Sequence, residues 1–345
     1  MQTPLRQSRI PRRVDLMKLL RRQFLHLATG AAALLAISRG ARAQSYPRRP
    51  ITMIVPFPPG GANDLLGRII AERMGGILGE SIIIENISGA AGSIGVGRAV
   101  RSPADGYTLS IGSVSSHVFA GAIYTLPYDL VKDLEPVALL AFEPLMIVGR
   151  KSMPGADLKG LIAWLKANPG KASEGNPGIG SFGQVIGALF QKETATQIQS
   201  VPYRGGGPAT QDLVAGHIDL MIEPTSNFAQ YIPSGAVKPY AVAAKTRVSA
   251  APQVPTVDEA GLPGFYASFW LALWLPKGTP KDVVTKLNSA VTEALTDPAV
   301  RQRLADIGQS VPLREQQTPE ALGAFQKSEI ERWWPIIKAA NIKGE

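Results

Sequence analysis

Short apolar runs that end in proline or glycine, each followed by residues recurring at helical spacing, set the rhythm of this chain. Ile51, Met53, Ile54 and Val55 read as a strand, and Pro56, Pro58 and Pro59 stop it because proline cannot donate to a sheet ladder. Gly60 and Gly61 permit a sharp turn. Asn63 is a suitable N-cap and Asp64 suits a first helical turn. Leu65, Leu66, Ile69, Ile70, Met74 and Ile77 then recur with helical period. A helix that starts this way exposes unpaired N–H groups and the positive end of a dipole, which suits an anion. A tight strand–helix connection without a ligand accounts for the stretch equally well.

The unit repeats. Residues 81–85 predict a strand buried on both faces, and 86–97 a glycine-rich loop entering a helix that ends near Arg101. Residues 107–112 predict a third strand, after which Ser113, Ser115, Ser116 and His117 open another helix. This β-α-β-α-β order predicts a parallel sheet whose carboxyl edge faces a ligand. Residues 136–149 read as a long strand leaving this first unit. A second unit follows: helix 158–167, weak strand 172–175, helix 182–194 and strand 198–202. Next come a helix with Pro208 at its first position, stopped by Gly216, then strand 218–223, a helix starting at 224–227, and strand 237–243. Residues 269–275 predict a return crossing, and helices over 280–295, 298–307 and 318–340 complete the pattern.

Residues 1–43 have a different character. The twin arginine Arg21-Arg22 is followed by Phe24 and Leu25, an apolar run over 27–37, and Ala41-Arg42-Ala43 as a small-x-small cleavage site. This is the pattern of an export signal of twin-arginine type, cleaved near Ala43, and it places the remainder in the periplasm. An ordinary secretory signal carrying two arginines is the alternative. The apolar run is far shorter than the ~20 residues needed to span a bilayer. The chain has no cysteine, so neither a lipidated N-terminal cysteine nor a disulfide framework is available. The leader also explains the net charge of +9. It holds nine of the 36 Lys and Arg and one of the 27 Asp and Glu, so the remainder carries 27 against 26. A nucleic-acid partner inferred from charge therefore fails for the mature chain, and the near-neutral balance is compatible with a freely diffusing monomer.

The run 56–68 (PFPPGGANDLLGR), then ENISGAAGSIG, SPADGYTL and the serine–histidine corner, resembles the Bug solute receptors, the periplasmic binding proteins of tripartite tricarboxylate transporters. Later stretches agree in order: GIGSFG, VPYRGGGPATQDLVAGHIDLMIE, VPTVDEAGLPGF, LPKGTP and RWWPIIKAANIK. The resemblance covers the mature chain and implies an α/β fold of type II, two lobes of mainly parallel sheet flanked by helices and joined by two crossing strands. The implied division is a first lobe over 44–148, a second over 149–267, and a return strand with C-terminal helices over 268–345 completing the first. It further implies closure on a carboxylate-bearing solute, such as a di- or tricarboxylate, an aromatic acid, an amino acid or a nicotinate-like acid. Delivery would be to membrane transporter subunits, with no cofactor, no metal and no catalysis. Many members carry Asp where this chain has Glu223, and often His where it has Gln184; Glu174 is also atypical. These acids favour an amine, amide or aromatic group on the solute.

The expected ligand site gathers the corners. Gly60, Gly61, Ala62 and Asn63 would supply backbone donors, with Ser113, Ser116 and His117 beside them; Gly180 and Ser181 would answer from the second lobe, with Tyr203, Arg204 and Gly205 adjacent. Arg204 is the candidate for a direct ion pair and Tyr203 for a ligand wall. Phe57 and Phe182 are candidate walls, although core burial is the simpler reading. Each glycine is equally explained by its turn, and Ser116 and His117 by helix capping. Trp270 and Trp274 read as core, Trp333 and Trp334 as docking the last helix, and His217 as a surface partner of a helix end.

Other chemistries are weaker. Residues 178–183 match G-x-G-x-x-G, yet the next strand is followed by Tyr203-Arg204 and not by the acid a nicotinamide fingerprint needs. Neither a Walker A nor a G-x-S-x-G motif occurs, and the mature chain has only His117 and His217 for a hydrolase or a zinc site. A sensory receptor for a two-component kinase, or an exported hydrolase or oxidoreductase, are the remaining alternatives.

Overall fold

β1 (Ile51–Val55) forms where an apolar run is closed by proline, and Ile51, Met53, Ile54 and Val55 are each at most 1% exposed. Burying such side chains stabilises by roughly 1.5–3 kcal/mol apiece. The computed structural model describes residues 46–344, and contacts divide the chain between Arg48 and Arg49, with Arg49–Glu345 as one unit. The expected export signal, residues 1–43, lies outside the described residues.

α1 (Ala62–Leu78) buries Leu66, Ile69, Ile70 and Met74 and ends at Gly79 in the left-handed conformation. β2 (Ile82–Asn86) and β3 (Thr108–Ser113) flank β1 in parallel, with α2 (Ser93–Val100) between them in sequence. The helix expected to open at Ser113 starts later. Ser113 ends β3, a π-helical turn spans Ser115–Phe119, and the short α3 (Ala120–Ile123) completes it.

β4 (Leu134–Arg150) changes partners partway. From Leu134 to Pro144 it pairs antiparallel with β9 (Ser268–Pro276), which also pairs antiparallel with β3. From Leu145 onward it pairs antiparallel with β7 (Leu220–Pro224) on one side and β8 (Val237–Val242) on the other. β5 (Ser173–Asn176) lies parallel to both β6 (Gln199–Pro202) and β7. One sheet therefore runs β2-β1-β3-β9-β4 and the other β8-β4-β7-β5-β6, with β4 common to both. Where the chain crosses, three segments bond in a ring: Leu145 N to Ala267 O at 3.2 Å, Ala267 N to Ala243 O at 3.0 Å, and Ala243 N to Leu145 O at 2.8 Å.

α4 (Leu158–Ala167) and α5 (Phe182–Thr194) take the ranges their spacing predicts, with Asp157 and Ser181 as side-chain N-caps. α6 (Gly206–Ala215) begins earlier than expected: Gly205 is its N-cap and Pro208 its third residue, where the ring removes an N–H that has no intrahelical acceptor. The helix expected from 224–227 is only a 3₁₀ turn, Thr225–Asn227. Ser226 N donates to Glu143 Oε1 at 2.8 Å and the Thr225 hydroxyl to Pro144 O at 2.8 Å, so that turn is tied to β4.

α7 (Lys281–Ala294), α8 (Pro298–Asp306) and α9 (Pro319–Ala339) return to the first sheet. Trp270 and Trp274 of β9 are core; their indole N–H groups donate to Glu329 Oε2 at 2.9 Å and Gln326 Oε1 at 3.3 Å of α9. Trp333 also donates to Glu329, and Trp334 donates to Val118 O at 2.9 Å, which docks the last helix as expected. Among the described residues no helix is long and apolar enough to cross a membrane.

Candidate ligand-binding site

The carboxyl end of β1 carries the first candidates. α1 starts at Ala62 with Gly61 as its N-cap, so Asn63, expected as the cap, is the helix's second residue; its side chain is buried and Oδ1 has no partner. Asp64 turns back over the corner instead. Its Oδ2 accepts from Gly60 N and Arg68 Nε, both at 2.9 Å, and its Oδ1 from Arg68 Nη2 at 2.9 Å and Asn86 Nδ2 at 3.0 Å. The Gly60 N–H is thus already used by the chain's own carboxylate. Burial works against the Asp64 carboxylate, but Arg68, the Gly60 N–H and Asn86 outweigh it and hold its pKa below the ordinary value. Asn86 also donates to Phe57 O at 3.1 Å. The first-turn N–H groups of Ala62 and Asn63 have no intrahelical acceptor.

Gly92 joins this corner to the one after β3. A side chain there would meet Pro56 and Phe57 at 3.2 Å and Ser116 at 2.8 Å. Ser116 Oγ accepts from Ser113 N at 3.1 Å and lies 3.0 Å from His117 Nδ1. The His117 ring stacks on Trp274 with centroids 3.7 Å apart, and Nε2 has no partner. Burial pushes its pKa down to about 3, so the imidazole is neutral. Ser113, Ser116 and His117 are all 0% exposed. A serine–histidine pair so enclosed presents no nucleophile to a substrate. Ser116 does not cap the turn: it lies inside it, the N-cap is Val114 without a side-chain cap, and the Ser116 hydroxyl bonds back to Ser113 at the end of β3.

On the second sheet, Gly180 precedes α5 with φ +76°, a conformation glycine adopts without strain, and a side chain there would press on Ile123 at 3.1 Å and Ala91 at 3.3 Å. The strand-end corners of the two sheets therefore touch. The Gly180 N–H donates to Gln184 Oε1 at 2.8 Å, and Ser181 Oγ accepts from Gln184 N at 3.3 Å. Phe182 is buried with ring centroids 5.6 Å from Phe119, 5.8 Å from Phe269 and 6.1 Å from Trp333. It is core shared by both halves. Tyr203 is half-buried and its hydroxyl donates to Asp212 Oδ2 at 2.6 Å; burial first, and then Asp212, push its pKa up to about 12. His217 Nδ1 lies 3.2 Å from the other Asp212 oxygen, at the surface after α6. Arg204 is exposed and, among the described residues, enters no ion pair. Gly205 gives α6 no side-chain cap, leaving the N–H groups of Gly206 and Gly207 open.

Three glutamates are buried behind these corners. Glu143 accepts from Ser226 N at 2.8 Å, yet burial pushes its pKa up to about 7. Glu174 is 2% exposed with Oε1 unpartnered, and burial pushes its pKa up to about 8. Glu223 is 4% exposed with Oε1 unpartnered; burial, and then Glu174 and Glu143, raise its pKa well above the ordinary value. Both Glu174 and Glu223 fit under α5 because it carries Gly187 and Gly183, where any side chain would collide with the respective carboxyl group. Each such glycine costs about 1 kcal/mol relative to alanine inside a helix. Asn86 and Gly187 escaped the sequence reading, while Gln184 entered it only as a departure from the family pattern and Gly183 only as part of a G-x-G-x-x-G match. The glycine pair has a legible signal, two glycines four apart on a helix face opposite strand glutamates.

Two surface grooves, of about 450 and 590 Å³, lie elsewhere, one at the end of α1 near Gly79 and Glu80, the other beside α3 between Tyr124, Tyr128 and Trp334. Neither is lined by the candidate residues.

Two α/β halves sharing a crossing strand, with the loop before α5 packed on the first half at Ala91 and Ile123, define a two-lobed periplasmic-binding-protein fold of type II. The family model described as TctC, tripartite tricarboxylate transporter family receptor, matches residues 66–342, and the chain belongs to that family. BugT of Bordetella pertussis is 36% identical over 309 residues, covering 89% of this chain and 94% of BugT. Among solved structures, the periplasmic binding protein BugD is 36% identical with a TM-score of 0.78, covering 87% of this chain and 100% of BugD. MatC from Rhodopseudomonas palustris with bound malate is 38% identical with a TM-score of 0.78, covering 85% of this chain and 100% of MatC.

Proposed function

We propose that the protein is an exported periplasmic receptor that captures a small carboxylate-bearing solute between its two halves and delivers it to the membrane subunits of a tripartite tricarboxylate-type transporter. The observation that supports this reading is the packing of the loop before α5 at Gly180 against Ile123 and Ala91 of the first half, at the strand-end edge where α5 and α6 start and where Arg204 is exposed without an ion pair among the described residues. Helix N-termini attract carboxylates, and an arginine adds a charge-assisted pair. MatC, which shares family and fold, holds malate. The lobes are residues 44–148 with 268–345, and 149–267, hinged on the Leu145–Ala243–Ala267 ring. Capture shifts the population from open to closed, and the closed face is read by the membrane partner. The site is one of binding without catalysis. Its ligand contacts are the Ala62 and Asn63 N–H groups, Arg204, and the N–H groups following Gly205, with Gly61 and Ser181 shaping the turns.

Thermal shift against a panel of carboxylates tests the proposal. The panel holds citrate, succinate, glutarate, benzoate, nicotinate, L-malate, L-aspartate and L-glutamate, with uncharged amides as controls. An acid at a hundredfold its Kd stabilises the fold by ~2.7 kcal/mol, and Arg204→Ala removes most of that shift. Stabilisation by amides alone, or by no acid at all, overturns the carboxylate reading. Export through the twin-arginine route predicts that lysine at both Arg21 and Arg22 blocks periplasmic accumulation, read by cell fractionation.

A further inference from the structure

Glu223 is the penultimate residue of β7, at the same strand-end edge as the first turns of α5 and α6. Its carboxyl group lies under the first turn of α5, where a side chain at Gly183 would strike Oε1. Its Oε2 is 3.5 Å from Asn227 Nδ2, and a side chain at Gly206, the first residue of α6, would meet that same amide nitrogen at 3.0 Å. The carboxyl therefore sits between two helix starts. It is 4% exposed, Oε1 has no partner, and the groups acting on its charge are Glu174 and Glu143, both acidic. No lysine, arginine or histidine among the described residues compensates it.

A buried acid in such company is costly, and an apolar side chain would fill the space under α5 more cheaply. Glycines at 183 and 187 keep room for two carboxyl groups rather than closing it. Burial favours the proton-bound form of Glu223, and a cationic donor at Oε1 favours its ionised form, which only accepts hydrogen bonds. A second carboxylate approaching Glu223 would be repelled. We propose that Glu223 determines specificity at this site by selecting a carboxylate solute that carries a hydrogen-bond-donating nitrogen, a protonated amine foremost, next to its carboxylate. This rests on the carboxylate-receptor reading above. The solute's carboxylate takes the helix N-termini and Arg204, while its amine meets Glu223. A hydroxyl in the same place donates one bond without a charge and ranks between amine and plain methylene.

Isothermal titration of the full chain separates these cases. Succinate, L-malate and L-aspartate share one four-carbon dicarboxylate skeleton; glutarate and L-glutamate form a second pair. The amine-bearing acid of at least one pair binds tenfold or more tighter than its plain partner, with malate intermediate. Glu223→Gln, which keeps the shape and removes the ionisable group, abolishes or reverses that ratio. Aspartate or glutamate binding to the natural chain releases protons, seen as a buffer-dependent heat, and the release is absent for succinate and for the Gln variant. Far-ultraviolet dichroism and Tm verify that the variant is folded; if it is not, the ratio and the proton release in the natural chain decide. The same ratio with and without Glu223, or a plain acid binding tighter than its amine-bearing partner, overturns the proposal. Absence of binding by every acid in the panel overturns it by removing the carboxylate reading itself.

Discussion

The corner after β1 and the corner after β7 both hold a buried acid, and they treat it in opposite ways. Asp64 receives donors from Gly60, Arg68 and Asn86, and its pKa falls. Glu223 has one long bond from Asn227 and a raised pKa. The same contrast extends outward. In the first half, Ser116 bonds to its own backbone and His117 is neutral within the core. In the second half, Arg204 stands unpaired and Glu174 and Glu223 keep free oxygens. The first half also keeps unpartnered atoms, Asn63 Oδ1, Ser113 Oγ and His117 Nε2, so what sets the second apart is that its unpartnered groups are acids with raised pKa values. Phe182 ties the two together by burying its ring against residues of both.

Removing that tie gives the largest effect. Phe182→Ala leaves a cavity in the shared aromatic cluster and costs about 3–5 kcal/mol, measured by urea unfolding. Loss below 1 kcal/mol would mean that the halves do not depend on the ring. Glu174→Gln comes next and acts through pH. The folded pKa near 8 exceeds the ordinary carboxyl value, so the proton-bound carboxyl is accommodated at low pH, and stability is lost as pH rises toward 8. The variant therefore gains on the natural chain between pH 5 and pH 8, by on the order of a few kcal/mol. A stability difference flat across that window would contradict a strained acid there.

Asp64→Ala breaks the first corner and costs about 2–3 kcal/mol, since three donors lose a charged acceptor. Its pH dependence has the opposite sign. A depressed pKa means that its stabilisation is present above the ordinary carboxyl range and is lost as pH falls through the folded value. Asp64→Asn accordingly flattens the acid limb of stability, and an unchanged limb would erase the contrast with Glu174. Smallest in stability is Arg204→Ala, within about 0.5 kcal/mol for an exposed, unpaired side chain, although solute affinity falls tenfold or more. A stability loss above 1 kcal/mol would give Arg204 a structural role.

Much of the scaffold was legible because its signals are local. Apolar runs, the helical spacing over 158–167 and 182–194, and the glycine stop at Gly216 act within one turn of the element they delimit. The long strand over 136–149 and the return strand over 269–275 were also visible as uninterrupted apolar stretches, as expected for strands buried on both faces. The misreadings occurred where tertiary partners decide. Asn63 lost the cap position because Asp64 reaches back to Gly60 and across to Asn86. The turn after β7 stays a single 3₁₀ turn because Glu143, eighty residues earlier on a crossing strand, takes the Ser226 N–H. His117 and Ser116 read from the sequence as ligand-site candidates or helix caps, and nothing local foretold their full burial or the stacking of His117 on Trp274. Gly178, Gly180 and Gly183 match a nucleotide fingerprint, while Gly187 falls outside it. Gly183 and Gly187 instead make room for acids on β7 and β5, which no local rule links to them.

Hydrogen–deuterium exchange with the tightest-binding acid of the panel tests most directly whether solute lodges between the two sets of strand ends. Protection is predicted at three separated segments together, residues 61–65, 178–184 and 203–209, with little change in α7 and α8. Protection confined to one half, or centred on the groove beside α3, would contradict a site shared by both halves.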